Sequence, residues 1–444
     1  MSSAPEPGFR PPPFPWPARA GLALWGAATR LGLPRPALDE ASLIAAARRH
    51  SELHHFGDEG FRLPMRRLLY ALEEEASLHL LGRSVMRTSI VRALESRLRL
   101  QNLTDLHPEI AERPVEAPVF IVGLQRTGTT KLHRLLACDP RLRPLTAAEG
   151  LSPAPLGRPI RDEPGERDRR LAYARRAERG MRYMSPTLFA IHPIEADAPE
   201  EDVFLLDVAF VSGAIDASLE VPSYSRFIRA TDQRAAYADL RRLIQLLLWQ
   251  RPGRYVGKTP HHLENLDSLF ALFPDAKVIQ THRDPRRVVP SFSSMMAHAG
   301  SMLSRRVDPR QVGRRIARQA ARSVERAMTV RESLPAGAVL DVHYADLVRE
   351  PMREIERVYG FLDLELEPSV RAAMEGWMRE NPRHKNGPHR YRLADFALDG
   401  EELDARFKRY REHFDVPREG AREERSGAHR EHLDLTSIEL LDGR

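Results

Sequence analysis

Pro118-Val-Phe-Ile-Val-Gly-Leu-Gln-Arg-Thr-Gly-Thr-Thr-Lys-Leu-His-Arg-Leu-Leu-Ala-Cys138 is the stretch on which the fold turns. Its first six residues are an apolar run ending in glycine, the pattern of a buried strand. Its last eight place Leu132, Leu135 and Leu136 on one helical face. Between them the loop Gly123–Thr130 joins strand to helix, as a phosphate cradle does. Glycine lets the chain turn tightly and approach an anion closely. The N–H groups that open the following helix, aided by its dipole, suit phosphate oxygens. Thr129 and Thr130 add hydroxyl donors and Arg126 adds a charge. The triphosphatase version of this loop needs Lys after the second Gly, then Ser/Thr for magnesium. Thr129 occupies that lysine position, and no apolar strand ending in Asp offers a magnesium partner, which disfavours a kinase or NTPase.

Outward from this loop, short apolar runs recur at Tyr255-Val256, Lys277 to Thr281 and Val339 to His343. Helical patterns separate them at 199–212, 235–251, 262–272, 286–299, 309–333 and 346–363. Strands alternating with helices predict an α/β fold: a P-loop-like parallel sheet flanked by helices. Upstream, Asp39 to Leu106 reads as helical throughout, with apolar residues recurring at three and four. The expected organisation is a helical N-terminal extension over 1–112, a main domain over 113–400, and a C-terminal helix with a polar tail over 401–444. Residues 1–35 are proline-rich and read as irregular. Within them, Gly21 to Leu33 is apolar but broken by Arg30. An ordinary buried helix is expected there, with a helix lying on a membrane surface as the alternative.

Composition sets the remaining limits. With 444 residues, 42% of them hydrophobic, the chain can bury a large core, which excludes a disordered or fibrous protein. No uncharged apolar run is long enough to span a bilayer. Cys138 is the only cysteine, so no intrachain disulfide forms, and a reducing, cytoplasmic compartment is expected. Near the end of an apolar helix it reads as a buried, inert thiol. The net charge of +6 suits an anionic ligand, but acidic residues are interleaved with the arginines and no basic stripe or zinc-finger spacing exists. Nucleic acid is therefore not the expected partner.

The motifs together resemble the sulfotransferases, in particular a bacterial branch with a helical N-terminus, over roughly residues 118 to 400. The loop Arg126-Thr-Gly-Thr-Thr130 is similar to the family's 5′-phosphosulfate loop. The resemblance implies 3′-phosphoadenosine 5′-phosphosulfate (PAPS) as donor, held by Gly123, Gln125, Arg126, Thr127, Gly128, Thr129 and Thr130. Lys131 stands where cytosolic members carry a Trp that stacks on adenine. Val278-Ile-Gln-Thr-His-Arg-Asp-Pro-Arg-Arg-Val-Val-Pro-Ser291 resembles the 3′-phosphate motif, implying contacts from Arg283 and Ser291. Tyr255-Val-Gly-Lys-Thr-Pro-His-His262 resembles the segment whose Lys meets the transferring group, here Lys258. Tyr344 falls where the family's Tyr approaches adenine. The late loop Arg383-His-Lys-Asn-Gly-Pro-His-Arg-Tyr391, with Lys385 and Gly387, resembles a loop that closes over the 3′-phosphate.

The activity thus implied is sulfuryl transfer from PAPS to a hydroxyl or amine, without a metal. A nucleotide-dependent kinase or a non-catalytic nucleotide-binding protein are the rival classes. Arg126 and Lys258 are expected to flank the bridge oxygen that gains charge. Three candidates remain open as general base: Glu149, His261, and the cluster His192, Glu195, Glu200 and Glu201. The acceptor is not legible, and the N-terminal helices are free to wall its pocket, touch a membrane or form a homodimer surface.

Overall fold

The computed structural model describes residues 9, 11–156, 169–382, 385, 389 and 391–419. Five strands form one parallel sheet: β1 Val119–Gly123, β2 Leu142–Pro144, β3 Arg254–Lys258, β4 Lys277–His282 and β5 Val339–His343. Their order is β2-β3-β1-β4-β5, with β1 at the centre. Every residue of β1 is buried, as helices on both faces require. Phe120 and Val122 share a core with Leu243, Leu247 and Ile316. Val119 and Ile121 alternate to the other side, with Leu132, Leu135 and Ile355. The register pairs Ile121 with Lys258, Gly123 with Thr281, and His282 with His343. The carboxyl ends of β1, β3, β4 and β5 therefore finish side by side, at the edge where open parallel sheets hold ligands.

The N-terminal region is helical, with helices at Glu40–Ser51, Arg62–Glu74 and Leu80–Leu106. Their core of Leu43, Met65, Leu68 and Leu94 also takes in Phe210, Leu219, Val221 and Tyr224 from beyond β1. This shared core ties the helices to the wall of the sheet domain.

Several expectations need correction. A helix runs over Trp16–Arg30, where irregular chain was expected. Pro17 lies in its first turn, where the missing N–H costs nothing. None of its residues is buried, and Trp16 and Leu24 are each 73% exposed, so the expected buried helix is not what forms. Strand β2 was not anticipated; it is only three residues long, and at the sheet edge Pro144 is tolerated. The helix expected over 199–212 is broken into Val203–Leu206 and a 3-10 turn, ended by Phe210 at φ 57°. That over 346–363 divides at Pro351 into Tyr344–Arg349 and Pro351–Phe361. Among the described residues no helix is long and apolar enough to cross a membrane.

Candidate active site

The loop after β1 is shaped by backbone that few residues accept. Gly123 has φ 139° and Gly128 φ 95°. A Cβ on Gly123 would stand 2.5 Å from Thr281 Oγ1, so β1 and β4 approach as only glycine allows. Arg126 itself is left-handed, at φ 68°, a strained conformation for a side chain of its size. Thr127 faces inward: its Oγ1 donates to the Leu124 carbonyl at 2.6 Å and lies 2.6 Å from Thr281 Oγ1. Thr127 therefore holds the loop together. Thr129 and Thr130, at the start of the helix Thr129–Leu136, line a cavity of about 210 Å³ with Gln125, Arg126, Arg283 and Tyr344.

Arg283 follows β4 and is held from three sides. Its guanidinium donates to the Arg126 carbonyl at 2.9 Å and lies 3.9 Å from the Tyr344 ring centroid. It also forms a two-point ion pair with Glu419, at 2.8 and 3.0 Å. Asp284 caps the helix Pro285–Ser301, which carries Ser291 to the same place. Arg126 Nε donates to Ser291 Oγ at 3.3 Å, and His389 sits 3.4 Å beyond. Burial, then the neighbouring Arg126 charge, pushes the His389 imidazole down to about 4. Arg126 thus reaches toward Ser291 and the Ile191 carbonyl, while Lys258 pairs with Glu201. Lys385 is exposed, with Nζ 3.1 Å from Asn381 Oδ1, and does not line this cavity. Gly387 lies outside the described residues.

A second cavity of about 280 Å³ adjoins the first. Its walls include Ile194, Val203, Phe204, Phe292, Met295 and Ile316. The two cavities share Gln125, His192, Glu201, Pro260 and Met295. Lys258, 1% exposed at the end of β3, places Nζ 2.7 Å from Glu201 Oε1 at this junction. Thr259 Oγ1 donates to Glu201 Oε2 at 3.3 Å. Burial pushes the Glu201 carboxyl up, but Lys258 and then His192 outweigh it and hold the carboxyl below its ordinary range. His192 and Glu200 complete the group, with ligand atoms of all three residues within 4.8 Å of one another. The buried Lys258 ammonium already supplies a cation there.

A buried network aligns this pair. Asp202 accepts from Tyr255 Oη at 2.7 Å and meets His262 Nε2 at 3.0 Å, and His262 Nδ1 meets Tyr237 Oη at 2.7 Å. The Asp202 N–H donates to the Lys258 carbonyl at 3.0 Å. Because Asp202 follows Glu201 directly, clamping Asp202 to β3 fixes Glu201 beside Lys258. Sequence reading named His192, Glu200 and Glu201 but missed this support, whose members lie up to 60 residues apart in the chain.

The other base candidates separate. Glu149 is not brought to the junction. It closes a capping box with Thr146 on the helix Ala147–Leu151 and pairs with the buried Arg143 at 2.5 Å. Glu195 turns outward to Arg134 at 2.8 Å. His261 lines the second cavity but not the first, and burial, then His262, pushes it down to about 3. Cys138 is half-buried, its thiol pushed up by burial, as expected of an unreactive cysteine.

Comparison with known proteins agrees with this geometry. Two curated relatives, omega-hydroxy-beta-dihydromenaquinone-9 sulfotransferases Stf3 of Mycobacterium bovis and Mycobacterium tuberculosis, are 28% identical over 193 residues. The match takes in 40% of this chain and 44% of theirs, so the chain spans less than half the length of the curated relatives it matches. The crystal structure of sulfotransferase STF1 from Mycobacterium tuberculosis H37Rv is 30% identical, with a TM-score of 0.74 over 83% of this chain and 98% of that one. That of sulfotransferase STF9 from Mycobacterium avium is 25% identical, with a TM-score of 0.77 over 86% and 98%. Residues 118–368, which carry the loop, Lys258, Arg283 and Tyr344, match the sulfotransferase family, and it is to that family that the chain belongs.

Proposed function

We propose that this protein moves a sulfuryl group from PAPS to a hydroxyl on a largely apolar acceptor, with Glu201 as general base and Lys258 as the cation at the leaving oxygen. The observation that carries this reading is the Glu201–Lys258 pair at the junction of the two cavities. The donor occupies the first cavity: Thr129, Thr130 and the helix start face its 5′-phosphosulfate, while Arg283, Ser291 and Arg126 face its 3′-phosphate. The acceptor occupies the second. The curated relatives are named for an omega-hydroxylated dihydromenaquinone, and the apolar walls here suit a hydroxyl on a comparably apolar body.

In the free protein Lys258 neutralises Glu201. An arriving phosphosulfate competes for the ammonium, and Glu201 is left buried beside the acceptor with its carboxyl pushed upward. The acceptor oxygen then forms a bond to sulfur while the sulfur–oxygen bond to the 5′-phosphate breaks. The hydroxyl proton passes to Glu201, and the electron pair goes to the phosphate oxygen, where Lys258 opposes the charge that appears. His261, confined to the acceptor cavity, orients the acceptor. A reducing, cytoplasmic setting goes with this reading, since the lone Cys138 needs no oxidant.

Calorimetric titration tests the donor site. PAP binds without magnesium and more tightly than ADP. Arg283→Ala weakens PAP severely but scarcely affects adenosine 5′-phosphosulfate, which lacks the 3′-phosphate. Glu419→Gln tightens PAP by about fivefold, because the ion pair that must open is worth about 1 kcal/mol. Equal losses for both ligands in Arg283→Ala, or binding of ATP only with magnesium, would overturn the assignment.

A further inference from the structure

The molecule holds a cavity larger than either one at the active site. It is a basin of about 600 Å³ between the helices Pro222–Ala230 and Pro309–Arg331. Six arginines line it: Arg226, Arg229, Arg314, Arg315, Arg318 and Arg322. Among the described residues two acids line it with them, Asp216 and Glu220, and Asp216 is already bonded to Ser225 Oγ. Arg315 donates to the Ala217 carbonyl at 2.8 Å. Among the described residues the other five arginines form no ion pair, whereas arginines elsewhere on the surface commonly do, as Arg326 does with Asp267.

This arrangement works against the fold unless an anion enters it. Arg314 and Arg318, then Arg318 and Arg322, are spaced four apart on one helix, where like charges repel. The facing helix adds Arg226 and Arg229. Burial holds the Arg322 guanidinium below its ordinary range; Glu264 and Asp216 oppose this, and Arg229 and Arg318 add to it. Arginine is the side chain that meets phosphate and carboxylate at two points.

Helical geometry joins the basin to the active site. The helix Pro309–Arg331 turns Ile316, Ala320 and Ser323 toward the acceptor cavity and its arginines toward the basin. Gln319 lines both, and its buried amide oxygen has no partner. We infer that the basin is an oxyanion-binding site and that the acceptor carries a phosphate or carboxylate group, held there while its hydroxyl lies at Glu201. This rests on the reading of the second cavity as the acceptor pocket.

The test saturates the protein with PAP, so that the nucleotide loop is filled, and titrates inorganic tripolyphosphate. Arg318→Gln/Arg322→Gln weakens tripolyphosphate at least about tenfold, with PAP binding intact as the measure of folding. Arg379→Gln, an exposed control on another helix, changes nothing. A hydroxyalkyl phosphate then binds PAP-saturated protein at least about tenfold tighter than the hydroxyalkane of equal length, and the double variant erases that preference. Tripolyphosphate binding that survives the double variant overturns the site. A site that holds tripolyphosphate but shows no preference for the phosphorylated alcohol overturns its link to the acceptor. Neither result depends on turnover. A protein that passes both yet releases no PAP from PAPS with any alcohol would instead refute the sulfuryl-transfer reading.

Discussion

Lys258 is one of only five lysines in a chain dominated by arginine, and the fold encloses it completely against Glu201. A buried ion pair of this kind is weak evidence for stability, because desolvation offsets attraction. On the proposed reading its value is as a pair that a donor can divide. Lys258→Ala is expected to lower kcat about 100- to 1000-fold with little change in PAP affinity, since the ammonium acts on charge that appears only as the bond breaks. Near-normal turnover would remove Lys258 from the mechanism. Glu201 gives a pH signature. In the free protein its carboxyl is depressed, so the acid limb of kcat/KM lies below the ordinary carboxylate range. Once Lys258 turns to the donor that depression is lost, and the acid limb of kcat moves to higher pH. Coincident limbs for wild type, or a Glu201→Gln variant that keeps the limb, would show that another group is the base. Glu149 and Glu201 look alike as letters in a sequence. What distinguishes them is that Arg143 and Thr146 occupy Glu149 as a helix cap, while Lys258 is the partner that a phosphosulfate can draw away.

Among the elements, the helix Trp16–Arg30 stands out because it touches the helix Leu80–Leu106 yet none of its residues is buried. Of the nine large apolar side chains left exposed among the described residues, all but Tyr183 belong to the N-terminal helical region: Trp16, Leu24, Leu31, Leu33, Leu63, Tyr70, Val85 and Leu106. Residues 7–38 contain no acidic residue, and Arg10, Arg19, Arg30 and Arg35 fall among them. An apolar helix in a purely basic setting has the chemistry of one lying on an anionic lipid surface. Trp16→Ser/Leu24→Ser is expected to weaken sedimentation with phosphatidylglycerol vesicles at least about tenfold, with the melting temperature unchanged because no packing is lost. Vesicle binding that survives the double change, or a clear drop in melting temperature, would show that this face is covered by protein instead. The sequence showed the apolar run but not its exposure, since an amphipathic pattern reads the same whether a core or a bilayer covers it.

Over the whole molecule, buried histidines set the response to acid. Burial, reinforced by Lys258, pushes the fully enclosed His133 down to about 4 from an unfolded value of 6.5. The folded protein therefore refuses a proton that the unfolded chain accepts once the pH drops below 6.5. Stability is constant above that value and falls by up to about 1.4 kcal/mol per pH unit for this one group, until the folded value is reached. His261 acts in the same direction with a smaller share, because it faces a cavity open to solvent. The depressed carboxylates of Glu201 and Glu149 contribute only in more acid solution, as the pH falls below their ordinary range. The buried Asp207 carboxyl, pushed up to about 7, works the other way over the same range. But His261, His282, His298 and His389, all lowered by burial, side with His133, so the melting temperature is expected to decline between pH 6.5 and 5. A slope that is unchanged in His133→Asn would mean that His133 titrates as if exposed.

The sequence by itself determined four of the sheet's five strands and the donor loop. Both depend on local rules: an apolar strand, glycines at positive φ, and a helix whose first residues meet an anion. Arg283, Ser291 and Tyr344 were named through the resemblance to the sulfotransferases, and each sits at a strand end or on the helix that follows. Only the tertiary structure decided which carboxylate meets Lys258, that Glu419 reaches back to Arg283, and that arginines from two distant helices share one basin. Those pairings span 57 and 136 residues in the two named ion pairs. No period or spacing encodes such partners. They are chosen when packing brings two surfaces together and burial makes an unpaired charge too costly to leave.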